Sequence, residues 1–404
     1  MLKTTNQRVL ITATVAAAMC AMLAACGGGD DNAPFATALY GDVPYGNDLV
    51  EFKKMPAFIA SINSDKDLSL ALHAGDLHSG SEPCTEAYDQ AIAGYFKQFT
   101  VPLVYTPGDN EWADCHLTKQ KTGKYTATDP LLGYPLNTVI PSSKDGNPVE
   151  NLKLIRSLFF PTAGKTLGSG ALTVHSQASE GTTATDKNYV ENVWWMKQDV
   201  LFATVNIPGG SNNGTDVWFA DKKPDTPQPG TAEQSAEVAN RTAATKAWLR
   251  NAFDQADAQH ANYVVLMMQA DMWSSEAKAA DPRLSEYKQY IDIIADRTTR
   301  FGKPVLLING DTHLFQSDNP LLKGAPCVKE AALSSGTAIT ATDCDFVPYD
   351  KQTGTYAVKN FHRVVVHGQN QPMEWTKLTF DPSKNAPNGR YAYGPFSWER
   401  KFVN

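Results

Sequence analysis

From Phe35 onward, short apolar runs and longer amphipathic stretches take turns along the chain. Ala36 to Tyr40 is apolar enough for a short buried strand, and Leu49 to Ile62 places its apolar residues at helical spacing. Leu68 to Leu72 reads as a second strand. Glu86 to Phe99, entered after Pro83, reads as a helix, and Pro102 to Tyr105 as a third strand. Strands alternating with helices predict an α/β sheet joined by crossover connections.

Regularity then lapses. Residues 116–190 are rich in Gly, Thr, Ser, Pro and Lys and carry one helical stretch, Leu152 to Phe160. The pattern predicts a long insertion, with the Gly- and Thr-rich run 163–186 as a mobile surface loop. Asn192 to Trp195 and Leu201 to Ile207 read as paired strands before Pro208-Gly209-Gly210, and 210–230 as a polar loop. Ala232 to Ala258 is the longest helical pattern, with Trp248, Leu249 and Phe253 on one face. Tyr263 to Met268 is a wholly apolar strand, Leu284 to Ala295 a helix, and Val305 to Ile308 a buried strand. Arg363 to His367 and Trp375 to Phe380 read as closing strands. The chain shows no repeat and no heptad, so residues 35–404 are expected to form one domain.

Chemistry gathers where the strands run out. Four of them end in a Gly-Asp turn: Gly41-Asp42, Gly75-Asp76, Gly108-Asp109 and Gly310-Asp311. Ligands of α/β sheets bind outside the carboxyl ends of the strands. Carboxylates collected there repel one another and stay protonated unless a cation lies between them. The cation that fits is a metal, and the matching chemistry is metal-assisted hydrolysis. A Gly before each Asp permits a tight turn and a close approach to the ion.

Composition narrows the setting. The 404 residues are 42% hydrophobic and 20% charged, which supports a large core. The net charge of −7 becomes more negative once Lys3 and Arg8 leave with the leader. An acidic chain is a poor binder of nucleic-acid backbone. A small phosphorylated substrate stays open, because a bound metal reverses the local field. Residues 1–25 read as a targeting segment, with Lys3 and Arg8 before an apolar run that Thr12 and Thr14 interrupt. Leu23-Ala24-Ala25-Cys26, followed by Gly27-Gly28-Gly29-Asp30-Asp31, resembles a bacterial lipoprotein lipobox. That resemblance implies a lipidated Cys26, a flexible linker over 26–34 and an anchor in the cell envelope, with Gly27 favouring the outer membrane. Plain signal cleavage near Ala25 is the alternative. Cys84, Cys115, Cys327 and Cys344 remain, an even number that reads as disulfides in an exported chain. Of three pairings we favour Cys84 with Cys115, on two loops expected on one side of the sheet, and Cys327 with Cys344, which closes a short loop. Zinc is the rival reading, but the chain has no CxxC spacing.

In their order, the strand-end turns resemble the motifs of the calcineurin-like metallophosphoesterase superfamily, over most of residues 36–381. That family runs Asp-x-His, Gly-Asp, Gly-Asn-His-Glu/Asp, an isolated His after a strand, and Gly-His-x-His. The corresponding segments here are Gly41-Asp42-Val43-Pro44, Gly75-Asp76-Leu77-His78, Gly108-Asp109-Asn110-Glu111, Met268-Gln269-Ala270 and Gly310-Asp311-Thr312-His313. The resemblance implies an α/β four-layer sandwich of two mixed β-sheets flanked by helices. It also implies two divalent metals bridged by the second-block Asp, and hydrolysis of phosphate mono- or diesters by water activated for in-line attack. By position, Asp42, Asp76 and His313 hold the first metal, and Asp76, Asp109, Gln269 and Asp311 the second. Pro44, Asp109, Gln269 and Asp311 depart from the family's residues. The second position thereby has only oxygen donors, which suit manganese or magnesium, with calcium also admissible. Asn110 stands where the family has an acidic His, and an amide donates a hydrogen bond without giving up a proton. His78 and His116 are the candidates for that acid role. Tyr45 and Glu111 are expected in support, Glu111 by fixing the third turn.

Other residues have plainer readings. His73 reads as a sheet histidine, His362 and His367 as structural, and His175 and His260 as surface residues. Strand alternation puts at least one of Trp194 and Trp195 in the core. Trp112 is a candidate substrate wall, and Asp271 a helix cap or a ligand. Three functions fit: a lipid-anchored phosphoesterase, a degenerate relative that binds a phosphorylated ligand without turnover, and a calcium-stabilised surface interaction protein.

Overall fold

The computed structural model describes residues 33–45, 50–80, 82–116, 125–126, 139–140, 143–214, 217–219, 230–274, 285–330, 341–343, 355–369 and 373–403. The leader, Cys26 and Cys344 lie outside the described residues. In chain order the first half runs β1 (Phe35–Tyr40), α1 (Val50–Ser64), β2 (Leu68–His73), α2 (Glu86–Phe96), β3 (Leu103–Tyr105), a small hairpin of β4 (Tyr125–Thr126) and β5 (Val139–Ile140), and α3 (Pro148–Phe159). Then follow β6 (His175–Ser176), β7 (Val193–Lys197), β8 (Val200–Thr204), α4 (Ala232–Ala258), β9 (Tyr263–Met267), α5 (Lys288–Phe301) and β10 (Val305–Asn309). The chain closes with β11 (Gln316–Asp318), β12 (Val328–Glu330), β13 (Ala341–Asp343), β14 (Phe361–Val365), β15 (Glu374–Phe380), β16 (Ala392–Tyr393) and β17 (Phe396–Phe402).

Two mixed sheets result. One has the order β16-β17-β15-β1-β2-β3, with β1, β2 and β3 parallel. The other has the order β13-β12-β11-β14-β10-β9-β8-β7-β6, with β8, β9, β10 and β14 parallel. Alternation along each strand sends side chains to opposite faces. Leu39, Leu70 and Val104 of the first sheet meet Phe202, Val265, Met267 and Ile308 of the second in one core. On the far side of the first sheet, Ala38 and Ala71 pack with Phe58 of α1, Ile92 of α2 and Ile155 of α3. On the far side of the second, Leu201, Leu266 and Leu307 pack with Trp248 and Phe253 of α4 and Ile294 of α5. Each sheet is thus covered on both faces, which is why its parallel strands read as unbroken apolar runs. Trp194 and Trp195 are accordingly both buried, one in each core.

Local chemistry sets the helix ends. Thr85, Asn147 and Thr231 cap α2, α3 and α4, each accepting a backbone amide on its side chain. Pro56 lies inside α1 and has no amide for the Phe52 carbonyl; Tyr95 of α2 donates its hydroxyl there instead, at 3.2 Å.

The stretch read as an insertion is more built-in than the sequence suggests. Ile155 and Phe159 of α3 belong to the core beneath the first sheet. The Gly- and Thr-rich run is not a free surface loop over its whole length: Leu167 bridges Leu103 beside β3, and His175 pairs with Trp194. Its glycines hide this, because Gly168 and Gly170 pack against the backbone around Val101 and Pro102, where a side chain would collide. Cys84 and Cys115 form a disulfide, and Cys327 is also disulfide-bonded. Among the described residues no helix is long and apolar enough to cross a membrane.

Candidate metal centre

The parallel strands bring their carboxyl ends to one edge. β1, β2, β3 and β10 run out into Asp42, Asp76, Asp109 and Asp311, and β9 into Gln269 and Asp271. Backbone bonds stitch these turns together: Asp42 donates to Gly75 O at 2.8 Å, and Gly310 to Gln269 O at 3.0 Å. His73 ties the first two. It accepts the Gly75 amide on Nδ1, so its proton sits on Nε2, which meets Val43 O at 3.0 Å. Burial lowers the His73 pKa to about 4 and keeps the ring neutral.

Asp42, Asp76, Asp311 and His313 all have left-handed backbone, with φ of 53°, 59°, 82° and 58°. Such residues cost about 1–3 kcal/mol each and gather at functional sites. Close packing adds to the constraint. A Cβ on Gly108 would overlap Asp76 Oδ1, and one on Gly310 would overlap Asp42 Oδ2. Glycine is needed at both for room.

The carboxylates fall into two groups. Ligand atoms of Asp42, Asp76 and His313 lie within 4.8 Å of one another, and so do those of Asp76, Asp109 and Asp311. Asp76 belongs to both. Asp42, Asp76 and Asp109 are buried, whereas Asp311 to Leu314 are partly exposed and give solvent a way in. Asp42 Oδ1 accepts the Asp311 amide at 2.8 Å, while its buried Oδ2 has no hydrogen-bond partner. No lysine or arginine pairs with Asp42, Asp76 or Asp311 among the described residues. Burial, then repulsion from Asp311, holds Asp42 well above the usual carboxylate range. Burial, then Asp109, does the same to Asp76 and to Asp311. Such a set lacks positive charge, and two divalent ions would balance four carboxylates. The donor chemistry and the unpartnered Asp42 oxygen both fit metal binding.

Polar neighbours fix the shared carboxylate. Asp76 Oδ2 accepts from Asn110 Nδ2 and Gln269 Nε2, each at 3.0 Å, and Asp76 Oδ1 from the Asn110 amide at 3.3 Å. Gln269 therefore turns a nitrogen, which is no metal donor, toward Asp76, while its Oε1 accepts the Gly209 amide. In this arrangement the second group is three carboxylates, and Gln269 holds Asp76 rather than standing as a fourth oxygen donor. Glu111 accepts the Gly108 amide at 2.7 Å and the Tyr105 hydroxyl, which pins the third turn.

The histidines separate. His313 stands in the first group, Nε2 at 3.7 Å from Asp42 Oδ1, and burial takes its pKa to about 4. His78 is buried. Its Nδ1 meets Ser79 O at 3.1 Å, no hydrogen bond joins it to the cluster, and burial takes its pKa to about 4. A neutral, enclosed imidazole is a poor proton donor, so the geometry disfavours His78 as the acid. His116 accepts the Phe219 amide on Nδ1 at 3.1 Å, which leaves its proton on Nε2. Trp112 is fully buried under Arg241 and is not a substrate wall. Asp271 is neither a free ligand nor a simple cap. It accepts the Trp273 amide, forms an ion pair with buried Arg363, and donates its own amide to Asp311 Oδ2 at 2.9 Å.

Sequence reasoning missed one element of the site. After β8, Gly210, Ser211, Asn212 and Asn213 are all left-handed, with φ between 55° and 59°. This turn sits against Asp109 and Asp311, where a Cβ on Gly209 would crowd both carboxylates. Buried Arg241 of α4 holds it through the Asn212 carbonyl and side chain, and Tyr287 bonds Pro208 O and the Asn212 amide. The Gly-Gly-Ser-Asn-Asn composition was the available signal, since Gly and Asn tolerate positive φ best. No protein-family model matches this chain, and no curated protein sequence matches it.

Proposed function

We propose that this chain is an exported metal-dependent phosphoesterase of the calcineurin-like type, cleaving phosphate mono- or diesters of small molecules. The observation that carries this reading is the pair of ligand groups sharing Asp76 at the strand ends of a two-sheet sandwich. Asp42, Asp76 and His313 would hold one divalent ion, and Asp76, Asp109 and Asp311 the other. Bound there, the ions lower the pKa of water and neutralise charge developing on phosphoryl oxygens. Manganese or magnesium suits the carboxylate-rich second position. The chain's own residues orient the centre. Asn110 and Gln269 hold Asp76, Glu111 fixes the turn bearing Asp109, and the Arg241-pinned turn covers one side. Asn110 contributes hydrogen bonds and no proton. Export is supported by the leader pattern and by the Cys84–Cys115 disulfide, with attachment through a lipid on Cys26 as the proposed anchor.

One observation favours a second reading, a metal-holding relative that binds phosphorylated ligands without turnover. The family's acidic His is Asn110 here, and no hydrogen bond joins His78 to the cluster. A single assay separates the two. The purified chain is stripped of metal, reloaded with manganese, and offered p-nitrophenyl phosphate and bis(p-nitrophenyl) phosphate, with metal content measured in parallel. Turnover that Asp76→Ala abolishes supports the enzyme; tight metal with no turnover supports the binder. Turnover that survives Asp76→Ala removes this site from the reaction.

A further inference from the structure

A phosphoryl group needs hydrogen-bond donors as well as ions, and the side-chain donors beside Asp76 are already engaged. Asn110 directs Nδ2 to Asp76 Oδ2 and to Tyr45 Oη, each at 3.0 Å, which uses both its hydrogens. Gln269 gives Nε2 to Asp76 Oδ2 and takes the Gly209 amide on Oε1. The turn after β8 holds a donor that is not engaged. Asn213 Nδ2 is buried and has no hydrogen-bond partner among the described residues, although buried amides ordinarily find one. The rest of Asn213 is held fast. Its backbone amide donates to Gly210 O at 3.1 Å, its carbonyl accepts Gln234 Nε2 at 2.9 Å, and its φ is 55°. Its side-chain tip faces the second ligand group. A Cβ on Gly209 would stand 2.7 Å from Asp109 Oδ1 and 2.8 Å from Asp311 Oδ1, so the turn lies directly on these carboxylates. A Cβ on Gly210 would stand 3.0 Å from Asn213 Oδ1 and 3.1 Å from Asp109 Oδ2. The amide and the carboxylate thus flank one small space, which Gly210 leaves open and, being partly exposed itself, connects to solvent. A half-turn about χ2 exchanges Oδ1 with Nδ2 and turns a hydrogen into that space. A negatively charged oxygen there would lie beside Asp109, a position tolerable only with a cation between them.

Building on the reading of this site as a phosphoesterase centre, we propose that Asn213 Nδ2 donates a hydrogen bond to a nonbridging phosphoryl oxygen of the substrate, on the side of Asp109 and Asp311. Asn213 touches the ligand, holds no ion and transfers no proton. A neutral donor fixed at its root and aimed at phosphoryl charge stabilises that charge without reorganising.

Phenylphosphonate is the probe, because it carries phosphoryl oxygens and has no ester bond to hydrolyse. Calorimetry measures manganese binding to the stripped full chain, then phenylphosphonate binding to the loaded one. Asn213→Gly keeps the left-handed turn without strain, and Asn213→Asp keeps the shape while replacing the donor with an acceptor. Both variants should bind phenylphosphonate about tenfold more weakly, and Asn213→Gly should hold manganese as the unaltered chain does. Thermal unfolding checks that each variant folds, and the aspartate variant decides if the glycine variant does not. Unchanged phenylphosphonate affinity in the variants would overturn the assignment and leave the metal centre standing. Manganese affinity that falls in Asn213→Gly would overturn it too, since the residue would then act on the centre and not on the ligand. An unaltered chain that holds manganese and ignores phenylphosphonate would remove the phosphoesterase reading together with the donor.

Discussion

At the residue scale the centre is an accumulation of conformations and charges that oppose folding on their own. Asp42, Asp76 and Asp311 combine left-handed backbone with carboxyls held above their ordinary range by burial and mutual repulsion. For a group whose folded pKa is raised, stability is fully present below the unfolded value, near 3.8, and is lost as pH rises through the folded one. The metal-stripped protein should therefore lose stability as pH climbs from about 4 toward neutral, and divalent metal should restore it there. Melting temperatures across that range, with and without manganese, check this; a metal-free protein indifferent to pH would contradict it. His362 has the opposite sign. Burial lowers its pKa from 6.5 to about 4, so its contribution is lost as pH falls through that window. Replacing it with Gln should flatten the acid side of the stability curve in the metal-loaded protein. A third outcome follows from packing. Gly310→Ala places a methyl on Asp42 Oδ2 and should weaken metal binding at least tenfold, read by calorimetric titration.

At the element scale the turn after β8 shows how an irregular segment is held. Four consecutive left-handed residues cost about 1–2 kcal/mol for each one that is not glycine. Arg241, fully buried, offsets this by bonding Asn212 twice while pairing with Glu237. Ser211→Gly should raise the melting temperature slightly, since glycine adopts φ of 59° without strain. Arg241→Met should cost roughly 3–5 kcal/mol, because Glu237 and Asn212 lose a buried partner. Chemical denaturation of the two variants tests both signs. The regular elements were far more legible. α4 spans Ala232–Ala258 as its apolar spacing predicts, and β9 and β10 read directly as apolar runs. The turn was not legible, because nothing in a Gly-Ser-Asn stretch says that an arginine will arrive from a helix to fix it.

At the scale of the whole molecule, sheet topology converts separated Gly-Asp turns into one centre. Six parallel strand ends, three from each sheet, deliver them to a common edge, and the Cys84–Cys115 bond ties the loops after the second and third turns. That bond spans 31 residues and should contribute roughly 3–4 kcal/mol by restricting the unfolded chain. Unfolding of the Cys84→Ser, Cys115→Ser double variant in guanidinium measures it. The sequence by itself determined the core strands and helices and the acidic strand ends, because periodicity and turn chemistry are local, and it favoured the Cys84–Cys115 pair among three pairings. Tertiary structure alone decided which donors face the centre. It turned the Gln269 nitrogen inward, enclosed His78 and Trp112, paired Asp271 with Arg363 and brought Tyr45 against His313. Side-chain direction at a strand end depends on neighbours hundreds of residues away, and no local pattern encodes it.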